Sequence, residues 1–138
     1  MQEFDRQDGI PDLSMRLSVE EFNAAILDIA GNYSDDLAYG LYADCLDEET
    51  EGQEEADLHF KYGLLFKFIA PIQQSRGDYE DALGSYRQAL HEIEDGGFDD
   101  VWALELRVAE GHLLMHELEN PDEAIEPYEE AMRIFEKH

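Results

Sequence analysis

Two histidines, one cysteine and a run of acids are the side chains here with types and spacing that could do chemistry. His112 and His116 stand four apart, the spacing at which two imidazoles on one helix face hold a zinc ion. Between them lie Leu113, Leu114 and Met115 rather than the glutamate of a metalloprotease helix, and no third ligand accompanies them. They read as partly exposed helix histidines, and no metal site is expected. Cys45, the single cysteine, excludes an internal disulfide. With no histidine or base in its helical stripe to lower its pKa, it reads as a buried stand-in for alanine. Gly96-Gly97 lacks the strand, the helix and the lysine of a phosphate-cradling loop. No catalytic residue and no cofactor is expected.

The acids are a different matter. Asp44, Asp47, Glu48, Glu49, Glu51, Glu54, Glu55 and Asp57 follow one another without a base among them. Such a run is a solvated helix end and loop unless a cationic partner covers it. The whole chain shares the bias: 35 acidic residues against 9 basic ones, net charge −26, pI near 4.1. Nucleic acid and anionic membranes are therefore excluded as natural partners, and a basic protein is the expected one. The length of 138 residues fits one domain, and 43% hydrophobic residues suffice for a core. No apolar run approaches the roughly 18 residues of a membrane span. Met1 to Asp5 show no basic region leading into an apolar stretch, so a soluble, intracellular protein is expected.

The elements that must carry these residues announce themselves by repetition. Ala82, Tyr86, Ala89 and Leu90 recur 42 residues later as Ala124, Tyr128, Ala131 and Met132. They are anticipated 44 residues earlier by Ala38, Tyr42, Cys45 and Leu46. Offsets of four, seven and eight lie on one face of a helix, so each copy predicts a helix burying a small-aromatic-small-apolar stripe. A period in this range means stacked helical repeats. Residues 1–17 lack sustained periodicity and read as a flexible, or docked, N-terminal arm, with residues 18–138 forming the repeat domain. Ser18-Val19-Glu20-Glu21 is a capping box opening a helix to about Ala30. Ser34 or Asp35 caps the next helix, through Leu46. A long apolar helix follows from about Glu54, which Pro71 should kink or end. Gly77-Asp78 turns into the central copy, 79–94, and Asp95-Gly96-Gly97 breaks it. A helix over 101–118 and the last copy, 122–136, complete six main helices in three hairpins.

Gly77-Asp78-Tyr79-Glu80-Asp81-Ala82 through Leu90, and Pro121-Asp122-Glu123-Ala124-Ile125 through Met132, resemble the second helices of tetratricopeptide repeats. The resemblance covers about residues 19–136 and implies an all-α, right-handed superhelix of helical hairpins. The first helices of the hairpins, 19–30, 56–72 and 101–118, would then line a concave groove. Phe60-Lys61-Tyr62-Gly63-Leu64-Leu65-Phe66, after an acidic linker, resembles the F-x-Y-G-x-x-L helix of the SHNi-TPR proteins, acidic chaperones of core histones. The period exceeds the usual tetratricopeptide spacing. Tyr62 to Gly77 lacks the long acidic insertion usual in the SHNi-TPR subfamily, and these residues include neither a fourth repeat nor a basic import tail.

Three functions fit these observations. As a histone chaperone, the chain would shield core histones with the acids of 44–57, and its compartment would be nuclear or nucleocytoplasmic. As a general adaptor, otherwise cytoplasmic, it would hold a partner peptide or helix in the groove, where Asn23, Asp28, His59, Lys67, Glu105, Glu110 and His112 are the polar positions that could face it. With only Lys67 and Arg107 as bases, that groove is a poor carboxylate clamp. As a third account, the acid excess would serve solubility or a high-salt environment, in keeping with three lysines in the whole chain. An uncapped end of the repeat stack leaves homo-oligomers open.

Overall fold

The computed structural model describes residues 12–97 and 100–137. Six helices carry nearly all of them: α1 (Val19–Asn32), α2 (Asp35–Leu46), α3 (Glu55–Ser75), α4 (Tyr79–Gly96), α5 (Asp100–His112) and α6 (Pro121–Lys137). A π turn, Leu113–Glu117, prolongs α5. Among the described residues there is no strand.

The helix ends follow from local chemistry. The Ser18 hydroxyl accepts from the Glu21 amide at 3.1 Å while Glu21 accepts from the Ser18 amide at 3.0 Å, the reciprocal pair the sequence calls for. Ser34 rather than Asp35 caps α2, accepting from the Leu37 amide. Gly97, in the left-handed region at φ 69°, closes α4. The end after α5 is less ordinary. The Leu118 amide reaches back to the Leu113 carbonyl, and the Asn120 amide bonds the Leu114 carbonyl at 2.7 Å. Between them Glu119 takes φ 52°, a conformation that L side chains rarely adopt. Pro71 does not end α3. The ring faces solvent while Ile69, Ala70 and Ile72 are buried, so packing carries the helix on to Ser75 despite the missing amide.

Helix α3 packs most closely with α4 and α5 with α6, and α4 receives α5; α1 and α2 both rest on α3 more than on each other, so the expected first hairpin is not a close pair. One core cluster joins α1, α2 and α3 through Phe22, Ile26, Ile29, Tyr42, Leu65 and Ile69. A second joins α4, α5 and α6 through Ala82, Tyr86, Leu90, Leu106, Leu113 and Ala124, and Trp102 touches both. The period is long because α3 has 21 residues and α4 has 18.

Two expectations need correction. The stripe is not buried equally in its three copies: Ala124 and Ala131 are buried but Met132 is exposed, because no described helix covers that side of α6. The arm is not free along its whole length. From Asp12 onward it is part of the fold, with Leu13 and Met15 buried in the first cluster. The Met15 amide donates to Glu48 Oε1 at 2.8 Å, and its carbonyl accepts from Lys61 Nζ at 2.7 Å. Residues 1–11 lie outside the described residues.

Candidate functional site

The acidic run spans the last turn of α2, a loop and the first turn of α3. Gly52, at φ 86°, lets the chain reverse within it. Asp44, Asp47, Glu49, Glu51, Glu54 and Glu55 are exposed, and Asp57 is half-buried. Glu48 differs, since its carboxylate accepts from the Ser14 hydroxyl at 2.9 Å and from the Met15 amide, so it anchors the arm rather than facing outward. Among the described residues none of the eight makes an ion pair, although Arg76, Arg87, Arg107 and Arg133 each hold a carboxylate elsewhere. Glu49, Glu51, Glu54 and Asp57 line a cleft of ≈ 650 Å³, with Arg16 and Lys61 as the opposing cations. Lys61 is only 3% exposed and is committed to the Met15 carbonyl and, at 3.3 Å, to Gln53 Oε1. The cleft is therefore negative, and its one buried cation ties arm, loop and α3 together.

The seven groove positions do not form one site. Lys67 and Glu105 do meet, at 3.8 Å between Nζ and Oε1. Lys67 Nζ also lies 5.1 Å from the Phe68 ring centroid and 5.8 Å from that of Trp102, while Phe60 and Trp102 stack tilted at 5.6 Å. This aromatic seam between α3 and α5 was not among the sequence candidates, although Phe60 and Trp102 stand at the same station of successive first helices. Asn23 is half-buried on α1, and Asp28 is exposed but accepts from Asn32 Nδ2 at 2.6 Å. His59 turns to α4, its Nδ1 at 2.7 Å from Glu92 Oε1. The bond to that carboxylate holds the imidazole pKa above its ordinary value.

Glu110 is the clearest departure. It is 4% exposed, with Arg87 Nε at 2.7 Å and Arg107 Nη1 at 3.3 Å, so it joins α4 to α5 and offers little to a partner. Arg87 also reaches Glu123, and Arg107 reaches Glu94, a network signalled in sequence only by the isolated bases on two acidic helices. His112 and His116 are exposed with ring centroids 4.4 Å apart. Among the described residues no three His, Cys, Asp or Glu side chains are grouped to hold a metal ion. Cys45 is buried, and burial first, then Glu48, pushes its thiol up to about 12, against a smaller opposing pull from Lys61.

A third surface is apolar. Leu104, Val108, Tyr128, Ala131, Met132 and Phe135 line a cleft of ≈ 500 Å³ along the outer side of α5 and α6. No described helix is long and apolar enough to cross a membrane. Compared with protein-family models, curated proteins and solved structures, the chain matches none.

Proposed function

We propose that this chain is a non-catalytic protein-binding module, a tetratricopeptide-like stack whose acidic segment receives a basic protein, with core histones as the partner class. The observation that carries this reading is the distribution of its charges. The described arginines from Arg76 onward are spent on carboxylates elsewhere, while Glu49, Glu51, Glu54 and Asp57 line one cleft with Arg16 and Lys61, and none of the acids at 44–57 makes an ion pair among the described residues. Clustered, unneutralised carboxylates give a field that speeds encounter with a cationic partner and weakens with salt. The histone class comes from the likeness of the Phe60–Phe66 helix to the SHNi-TPR motif, and with it a nuclear or nucleocytoplasmic location.

The test is a titration against core histones, with complex mass read by light scattering at about 0.15 M and about 0.5 M salt, where the Debye length falls from roughly 8 Å to roughly half that. A complex of defined mass at both salts supports the reading, provided that lysozyme, a basic control, forms none. The Glu49→Gln, Glu51→Gln, Glu54→Gln triple variant, altered only at exposed positions, should lose most of the affinity. Equal binding to lysozyme, or an unaltered triple variant, defeats the reading. A second reading, a peptide-binding adaptor, is favoured by the Phe60–Trp102–Lys67 seam between α3 and α5. It predicts that Trp102→Ala, and not the triple variant, abolishes partner binding.

A further inference from the structure

Six of the seven large apolar side chains exposed among the described residues belong to the last helical pair and its π turn: Val101, Val108, Met115, Ile125, Met132 and Phe135. The chain contains its own standard for judging them, because α4 and α6 carry the same stripe 42 positions apart. Leu83, Leu90 and Ile93 on α4 are 7%, 2% and 1% exposed; their counterparts Ile125, Met132 and Phe135 on α6 are 53%, 58% and 66% exposed. The stripe is the same and the neighbours differ. Helix α4 is covered on one side by α3 and on the other by α5, whereas α6 rests on α5 and its π turn, with Arg87–Glu123 reaching it from α4. What α6 lacks is the counterpart of α5.

The α4–α5 junction also shows what such a counterpart brings. Helix α5 and its π turn contribute an apolar stripe, Ala103, Leu106, Leu113 and Leu114, and α5 adds two charges matched to α4. Arg107 pairs with Glu94, and Glu110 pairs with Arg87. Moving 42 positions along the chain, Glu94 becomes Glu136 and Arg87 becomes Glu129. Both stations on α6 are therefore acids, and both are exposed. A helix seated there needs a base at each of the two stations where α5 has one base and one acid.

We infer that the outer face of α5 and α6 is a second docking surface, separate from the acidic segment, for one amphipathic helix of a basic partner. That helix carries an apolar stripe spaced like Ala103, Leu106, Leu113 and Leu114, flanked by Lys or Arg set to meet Glu129 and Glu136. A second copy of this chain is the poorer occupant: α1, the helix that a head-to-tail stack would present, runs Val-Glu-Glu-Phe-Asn-Ala-Ala-Ile-Leu-Asp-Ile-Ala-Gly-Asn without a base.

The probe is a fluorescent synthetic peptide of residues 100–118 carrying Glu110→Lys, titrated into the full chain and read by anisotropy. The expected result is saturable binding, about tenfold or more tighter than that of the unaltered 100–118 peptide, whose Glu110 would face Glu129. A peptide of the same charge with its apolar stripe replaced by serine should not bind. Met132→Glu and Phe135→Glu, at sites exposed enough to leave the fold alone, should each abolish binding, and Glu129→Gln with Glu136→Gln should weaken it and flatten its salt dependence. The Glu49, Glu51, Glu54 triple variant should bind the peptide normally, so failure of the histone titration leaves this surface standing, and the reverse. The inference is overturned if the unaltered peptide binds better, which means exchange with the resident α5 on Arg87. It is also overturned if Met132→Glu and Phe135→Glu change nothing. Dimerisation of the bare protein that Met132→Glu abolishes would assign the face to a second copy instead.

Discussion

Glycine-to-alanine replacements at three helical positions should change stability with opposite signs, and the structure says which. An alanine at Gly111 would place its methyl carbon 2.8, 2.9 and 3.0 Å from Cε1, Cδ1 and Cζ of Tyr128, where ordinary contact begins at 3.4 Å. The ring must retreat by roughly half an ångström across three atoms, an overpacking that costs about 1–3 kcal/mol. Alanine returns about 1 kcal/mol of helix propensity, so the net expectation is a loss of about 1 kcal/mol. At Gly40 and Gly84, both exposed and inside helices, nothing lies within 4 Å, and the same change should stabilise by about 0.5–1 kcal/mol. The two classes should thus differ by roughly 2 kcal/mol, some 6–10 °C in Tm for a chain of this size. Urea unfolding followed by circular dichroism, with an unchanged m-value, measures it. In a Tyr128→Ala background the penalty at Gly111 should vanish and the propensity gain reappear. If Gly111→Ala proves as stabilising as Gly84→Ala in the parent chain, Tyr128 does not pack on α5 and the pairing of the last two helices is wrong.

Other expectations follow from single contacts. Glu110→Ala should destabilise by about 3 kcal/mol, the lower end of the range for a broken buried pair because Arg87 is half-exposed and regains water; a double-mutant cycle with Arg87→Ala should show coupling above about 0.5 kcal/mol. Glu48→Ala, which strands the Ser14 hydroxyl and the Met15 amide, should cost about 2 kcal/mol and bring protease cleavage to residues 12–17 before global unfolding. His59 has a folded pKa above its unfolded one, so its bond to Glu92 contributes fully below about pH 6.5 and is lost as pH rises through the folded value. In Glu92→Gln, the imidazole pKa measured by NMR should fall and that part of the pH dependence of stability should disappear. Cys45 should resist thiol reagents in the native state and react only at the rate of unfolding, given a thiol pushed up to about 12; rapid labelling would show that α2 opens locally.

The helices were legible because their signals are local. Ser18 with Glu21, Gly97 and the repeated Ala-Tyr-Ala stripe each act within a turn or two, and periodicity of that kind survives in sequence. What escaped depends on pairs of distant residues. Lys61 counts in sequence as one of three lysines, and only the chain's return of Met15 to α3 makes it a buried clasp. Leu13 and Met15 are buried on either side of Ser14 as the chain enters a turn closed by the Leu17 amide on the Ser14 carbonyl, too short a signal to stand out beside helical ones. Glu110 fell on a face that the repeat assigns to a groove, yet two bases from α4 and α5 converge on it. Pro71, expected to kink or end its helix, does not end it: local rules weigh the lost amide and not the burial of Ile69 and Ile72 around it.

Helix α3 meets α1, α2 and α4 directly, and α5 through the Phe60–Trp102 stack and Lys67, whereas α6 is held from one side. Such asymmetry sets a gradient of local opening free energy. Amides of α3 should exchange with solvent only when the whole molecule unfolds, while those of α6 exchange through detachment of a single terminal unit. The cooperativity of the chain is thus centred on its third helix, and the helix that supplies four of the six side chains lining the apolar cleft is also the one whose release disturbs the rest least.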